Sequence, residues 1–178
     1  RYLLRRADRL VAVSPAIAEM LRAQGYAAGQ VAMIPNGIDA ERFERPRQHW
    51  PGLPETGVAA GVVGRLTREK GLFVLLEAAR IVVAEAPETR FLLVGDGPDG
   101  DELRRAAAES GLNAHFVFAG AQSDMPAAYA SMDLLAQPSF REGMPMTVLE
   151  AMAAGLPVVA SRVGAIPELL EPDGCGLL

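Results

Sequence analysis

Two glutamates, Glu142 and Glu150, flank Pro145 in the stretch "REGMPMTVLEAMAAGLPVVAS", residues 141–161. A proline there suits the N1 position of a helix, where its missing N–H costs nothing, so the amides of Met146 and Thr147 stay available to a ligand. The positive end of the helix dipole, worth about half a charge, then marks an anion site. Glu142 precedes the helix in a loop loosened by Gly143, and Glu150 lies one turn in, on the face of Met146 and Thr147. Helical side chains lean toward the N-terminus, so both carboxylates are expected at one pocket with a phosphate between them. Carboxylates accept hydrogen bonds from the vicinal hydroxyls that sugars present. As an isolated pair, Glu142 would serve only the helix dipole and Glu150 only the surface. The small apolar neighbours of "AMAAGLPVVAS" argue for the pocket, because a buried helix is a costly place for an unpartnered carboxylate.

A second set lies in "GRLTREKG", residues 64–71. Arg65 follows a strand and Lys70 precedes a helix, so both can converge on a cleft beside Gly64. An arginine offers a two-pronged fork for phosphate and a lysine a compact charge, a pair suited to a diphosphate. Two solvated loop cations fit these residues equally well, and the residues alone leave that choice open.

Two further stretches invite chemistry and receive plainer readings. "VGDGPDG" places Gly95, Gly97 and Gly100 in the spacing of a dinucleotide turn. Its Asp96, Asp99, Asp101 and Glu102 would repel a pyrophosphate, and the next strand ends in Ala119 and Gly120 instead of an acidic residue. A glycine turn is the favoured reading. In "RVGAIPELLEPDGCG", Gly164 and Pro167 shape a loop and Glu168 is a first-turn acid of a short helix. Cys175 has no neighbouring histidine or paired cysteine that would mark a catalytic thiol. Met125, Met132, Met144, Met146 and Met152 read as core filling.

The elements that must position these residues follow from patterning. Arg9–Val13 reads as a strand, followed by a helix that Ser14 caps, that Pro15 starts and that Gly25 closes. Val31–Ile34 is a second strand. Strands at 58–63, 91–94, 116–119, 134–136 and 158–160 alternate with helices near 72–86, 101–109, 126–130 and 146–154. Leu72, Leu75, Leu76, Ala79, Val82, Val83 and Ala86 share one face of the longest helix. Strands apolar throughout and separated by helices predict a doubly wound α/β domain with a parallel sheet, its ligands at the carboxyl ends of the strands. Residues 44–57, rich in proline and glycine, read as a linker between a terminal piece at 1–43 and the main domain at 58–178. Both ends of the chain are expected to be truncated. Residues 1–40 are expected to dock back on the domain or to pair with a second copy.

Composition narrows the field. Of the 178 residues half are hydrophobic and 22% charged, with a net charge of -5, so a packed core is expected and a nucleic-acid surface is not. The only basic cluster is Arg1, Arg5 and Arg6. One cysteine and two histidines, His49 and His115, supply neither a disulfide framework nor a zinc set, and a cytoplasmic setting is the default. No run approaches the roughly 18 apolar residues of a membrane span.

The segments "VAVSPAI", "IPNGID", "VGRLTREKG", "LLVGDGP", "FAGAQSDMPAAYASMDLLAQPS", "EGMPMTVLEAMAAGLPVVAS" and "GAIPELL" together resemble the retaining GT-B glycosyltransferases of family 4, with the glutamates in that family's E-x7-E form. The resemblance implies a Rossmann-like donor half that binds a UDP-, GDP- or ADP-sugar, and a separate N-terminal half that holds the acceptor and any peripheral membrane contact. Arg65 and Lys70 would grip the diphosphate with the amides of Met146 and Thr147. Glu142 would contact the transferred sugar, Glu150 the ribose, and the backbone at Gly120 and Ala121 the base. No cofactor is implied, and the lack of an acidic cage predicts that no divalent ion is required. As a fragment, the chain would act as a nucleotide-sugar-binding module without turnover.

Overall fold

The computed structural model describes residues 7–172 and 174–178; the basic cluster at Arg1, Arg5 and Arg6 lies outside them. Among the described residues two sheets form, and every strand pairing is parallel. The smaller pairs β1 (Leu10–Ala12) with β2 (Val31–Met33) across the helix α1 (Pro15–Ala23). Ser14 caps α1 by accepting the Ile17 amide at 3.3 Å, as the sequence predicts. A compact core of Leu10, Ala12, Ala18, Leu21, Tyr26 and Val31 closes this unit.

The larger sheet runs in the order β5-β4-β3-β6-β7-β8. Its strands are β3 (Ala59–Val63), β4 (Arg90–Val94), β5 (Phe116–Gly120), β6 (Leu134–Gln137), β7 (Val158–Ala160) and β8 (Gly176–Leu177). The chain builds outward from β3 through β4 to β5 and then returns to β3's other side with β6, so the order reverses between β3 and β6. Alternation along the strands feeds two cores. Ala60, Val62, Phe91 and Leu93 face α2 (Leu72–Glu85) and α3 (Gly100–Glu109). Ala59, Val63, Leu92 and Val94 face α4 (Met125–Tyr129), α5 (Met146–Ala153) and α6 (Ile166–Leu170). All of β3 is buried, as a strand covered on both faces must be. This is the doubly wound α/β architecture that the alternation of elements predicts.

The apolar face of α2 is shorter than its sequence suggests. Leu72, Leu75, Leu76 and Ala79 are buried, but Val82 is exposed. The helix has 14 residues, roughly 21 Å, whereas the five-residue strands beneath it span only about 17 Å. Its last turn overhangs the sheet.

Residues 44–57 form no strand or helix and run along the α4 side. Trp50 and Leu53 pack into that core, and Arg47 pairs with Asp133 through both carboxylate oxygens. Burial pushes the Asp133 carboxyl up, but hydrogen bonds from Arg47 and from the Ala59 amide, with the Arg47 charge, outweigh it and hold the group below its ordinary value. Past β2 the chain is tied to the larger unit at a helix and a loop. Phe43 stacks edge-on against Tyr129 with ring centres 5.7 Å apart, while the Asn36 side chain donates to the Met144 carbonyl at 2.9 Å. Val11, Met33 and Ile34 in β1, β2 and the residue after it stay exposed.

Backbone approach at the sheet's carboxyl edge leaves no room for a side chain. A Cβ on Gly95 would lie 1.9 Å from the Gly64 carbonyl oxygen at a φ of 135°. Gly95→Ala should therefore destabilise the protein by about 3 kcal/mol. Gly29, which has open space around it, should accept alanine within about 0.5 kcal/mol. Thermal or urea unfolding of the two variants tests the contrast.

Candidate functional site

The site forms where the strand order reverses, the place at which a doubly wound sheet leaves a crevice between its loops. Strand β3 runs into Gly64, whose amide donates to the Val94 carbonyl at 3.0 Å. The following loop is clamped to the glycine turn after β4. The Leu66 amide donates to the Asp96 carbonyl, the Asp99 amide to the Leu66 carbonyl, and the Arg68 amide to the Asp99 carboxylate at 2.7 Å. A Cβ on Gly97 would sit 2.3 Å from the Leu66 carbonyl oxygen. The dinucleotide-like spacing thus serves as a brace for the loop that carries Arg65 and Lys70. On the loop's far side, left-handed Gly71 lies so close to β6's exit that a Cβ would come within 1.8 Å of the Pro138 carbonyl oxygen.

Arg65, Lys70, Gln137 and Ser139 line the crevice between the ends of β3 and β6. Beside it an open cavity of about 310 Å³ is lined by Lys70, Glu142, Gly143, Glu69, Arg141 and Ile17. Lys70 and Glu142 pair at 2.7 Å, with side chains 26% and 9% exposed. The same carboxylate oxygen, Oε1, also accepts from Gln137 Nε2 at 2.6 Å and from Ser139 Oγ at 2.6 Å. Gln137 Oε1 in turn accepts the Thr147 hydroxyl at 3.2 Å. The Glu142–Gly143 backbone is braced from below. The Ala165 amide donates to the Gly143 carbonyl at 2.8 Å, and a Cβ on left-handed Gly164 would fall 2.2 Å from the Glu142 carbonyl oxygen. Glu168 sits in the first turn of α6, as expected.

Helix α5 begins one residue later than the sequence suggests. Pro145 has φ -71° and ψ 123°, an extended conformation, so it is the cap and Met146 the first helical residue. The amides of Met146 and Thr147 still have no carbonyl one turn before them. Met146 is 40% exposed at this end, unlike buried Met132; the reading of all five methionines as core filling fails for Met146, which lies on the open first turn. Glu150 accepts from the buried Tyr129 hydroxyl at 2.8 Å, and that hydroxyl also lies 3.2 Å from the Thr147 carbonyl oxygen. Glu150 lines neither cavity. The two glutamates are linked through Thr147: its hydroxyl leads through Gln137 to Glu142, and its carbonyl meets the tyrosine that holds Glu150.

Arg65 is exposed and has no acidic partner among the described residues. Gly120 and Ala121 stand two strands from β3 on the same carboxyl edge, where Gly120 accepts the Gly95 amide at 2.8 Å. They line neither cavity either. Cys175 is a free thiol packed beside the α5 core. Sequence reasoning missed Gln137, Ser139, Tyr129 and Asn36. For Gln137 a signal existed: it is the one polar residue closing the apolar strand "LLAQ", at the position where the sheet order reverses.

The arrangement offers cationic and amide donors to an anion and carboxylate acceptors to hydroxyl groups. Among the described residues no cluster of three or more His, Cys, Asp or Glu side chains could hold a metal ion, and no helix is long and apolar enough to cross a membrane.

Burial, then the neighbouring Glu150 charge and hydrogen bond, push the Tyr129 hydroxyl well above its ordinary value. In the unfolded chain it ionises near pH 10, whereas the fold holds its proton to higher pH. Its contribution to stability is therefore complete below about pH 10, and above it stability should fall by about 1.4 kcal/mol per pH unit. Unfolding curves recorded between pH 8 and 11.5 should show that slope, and Tyr129→Phe should remove this residue's part of it.

Comparison with known proteins places this geometry in a family. The profile of the glycosyl transferases group 1 matches residues 58–178, and that of glycosyltransferase family 4 matches residues 1–42. The 2-deoxystreptamine glucosyltransferase of Streptomyces kanamyceticus is 34% identical over 193 residues, covering 98% of this chain and 50% of that enzyme. The sulfoquinovosyl transferase SQD2 of Arabidopsis thaliana is 36% identical over 182 residues, covering 97% and 34%. Among solved structures, Anabaena Alr3699/HepE in complex with UDP superimposes with a TM-score of 0.82 at 28% identity, covering 98% of this chain and 50% of its own. The chain thus spans half or less of the length of these relatives. With a family profile across the whole main domain and a doubly wound sheet of the GT-B type, this chain belongs to the group 1 glycosyltransferases.

Proposed function

We propose that the protein transfers a sugar from a nucleoside-diphosphate sugar to an acceptor with retention of anomeric configuration, and that this chain supplies the donor-binding half. The observation that carries the reading is the Lys70–Glu142 pair, poised on an open cavity at the sheet's switch point beside the first turn of α5. Residues 44–57 act as the interdomain linker, and residues 1–43 as the end of the acceptor-side domain with its hinge. A second copy pairing through residues 1–40 belongs to the same reading, and light scattering tests it. A cytoplasmic setting belongs to the same reading, in keeping with the single cysteine.

As the bond from the sugar to the diphosphate breaks, negative charge grows on the departing phosphate and positive character on the anomeric carbon. Arg65, Lys70 and the amides of Met146 and Thr147 stabilise that charge. Glu142 accepts from hydroxyls of the transferred sugar and Glu150 from the ribose, while the backbone at Gly120 and Ala121 faces the base. Gly64, Gly143, Met144 and Pro145 give the ligand close access to main chain. Support for a uridine donor comes from the Anabaena enzyme, solved with UDP and with UDP-glucose. A Mycobacterium tuberculosis relative bears the name GDP-mannose-dependent alpha-mannosyltransferase, so guanosine donors belong in any test.

A panel of UDP, GDP, ADP and their sugars should single out one base. A ligand at 100 times its dissociation constant adds about 2.7 kcal/mol of stability, readable as a rise in melting temperature. Failure of every donor to shift the melt defeats the reading. With the chosen donor and the full-length protein, Arg65→Ala or Lys70→Ala should slow transfer by roughly one to two powers of ten. Exposed Arg65 should do so with stability unchanged within about 0.5 kcal/mol, whereas Lys70→Ala should also lower the melt, because it strips the cation from a nearly enclosed carboxylate. NMR of the product's anomeric proton decides retention against inversion. Because the chain covers about half of its relatives, donor binding without transfer by these 178 residues would mark it as a binding module.

A further inference from the structure

Gln137 is 2% exposed and Ser139 fully enclosed, two polar side chains buried at the mouth of an otherwise apolar strand. A carboxylate can only accept hydrogen bonds, so the Gln137 amide must turn its nitrogen to Glu142 and its oxygen to the Thr147 hydroxyl. With Nε2 2.6 Å from Glu142 and 3.1 Å from Ser139 Oγ, both of its hydrogens are committed. Ser139 accepts one of them and donates its own proton to Glu142 at 2.6 Å. These bonds, with Lys70's, all fall on Oε1. Among the described residues no donor reaches Oε2, and no enclosed side-chain oxygen or nitrogen lacks a partner. Oε2 is therefore open to the cavity that Glu142 lines.

We propose that Gln137, assisted by Ser139, is a positioning residue for the sugar end of the donor: it saturates one oxygen of Glu142, turns the other into the cleft, and locks that orientation to the first turn of α5 through Thr147. The inference rests on the donor-site reading above and goes beyond it, because it gives a role to two residues outside the set assigned to donor contact. Fixed in this way, the carboxylate meets a sugar hydroxyl without first losing rotamer freedom. On the donor-site reading the diphosphate meets Lys70 and the amides of Met146 and Thr147 while only the sugar meets Glu142, so the bare diphosphate should depend on the lock far less than the nucleotide sugar does.

The test is calorimetric titration of the whole chain with the nucleoside diphosphate and the matching nucleoside-diphosphate sugar that wild type selects from the UDP, GDP and ADP panel. Gln137→Met, similar in volume but unable to bridge, should lose about tenfold in affinity for the nucleotide sugar. Its affinity for the bare diphosphate should stay within about threefold. In a Glu142→Ala background the same substitution should cost nothing further, since a residue acting through Glu142 has nothing left to position. Ser139→Ala, a smaller buried change, should repeat the pattern at about threefold and keeps the test available should Gln137→Met fail to fold. Equal losses for both ligands, or losses that persist in full without Glu142, overturn the positioning role while leaving the donor site standing. Wild type binding none of the panel overturns both.

Discussion

The site depends on one nearly enclosed ion pair. Lys70 and Glu142 come from loops after different strands, and their 2.7 Å contact joins the two sides of the crevice at which the sheet changes direction. Such a pair is weak evidence for stability, because taking both charges from water costs much of what their attraction returns. Here the carboxylate has two further donors, Gln137 and Ser139, which offset its desolvation and leave the lysine's remaining hydrogens for another partner. The free protein thus holds its charges in a satisfied arrangement that an incoming anion can share.

That pair can form because the main chain is packed to its limit around it. Gly95 against Gly64, Gly71 against Pro138 and Gly164 against Glu142 are approaches that no other residue permits. The glycine-rich turn after β4 and the loop after β7 belong to the site without touching its cavities. One presses on the cationic loop and the other on the acidic one.

Much of this was legible in the chain. Apolar runs separated by helical periods carried the parallel sheet, and the cap at Ser14 fixed the start of α1. Arg65 and Lys70 by themselves read equally well as solvated loop cations; the small apolar neighbours of Glu150 and the segments shared with a glycosyltransferase family are what single them out together with Glu142. The acidic residues around the glycine spacing that imitates a dinucleotide turn argue against a pyrophosphate there, and the contact of Gly95 and Gly97 with residues 64–66 supplies the physical reason for the glycines. Glu150 was harder to place, since its partner Tyr129 lies 21 residues away on another helix, a pairing no local pattern encodes. Gln137 and Ser139 escaped for the same reason. A polar residue ending an apolar strand announces burial, but not what it will hold. The overhang of α2 and the extended Pro145 are matters of a single turn or residue, set by strand length and backbone angle.

The Asn36 bond to the Met144 carbonyl has a mechanical meaning. Met144 is two residues from Glu142, so the small β1–β2 layer is fastened to the very loop that bears the acidic group. Whatever tilts that layer moves an anchor point of the loop with it, and the alignment of the carboxylate is in this sense geared to the attitude of a unit that shares none of its core.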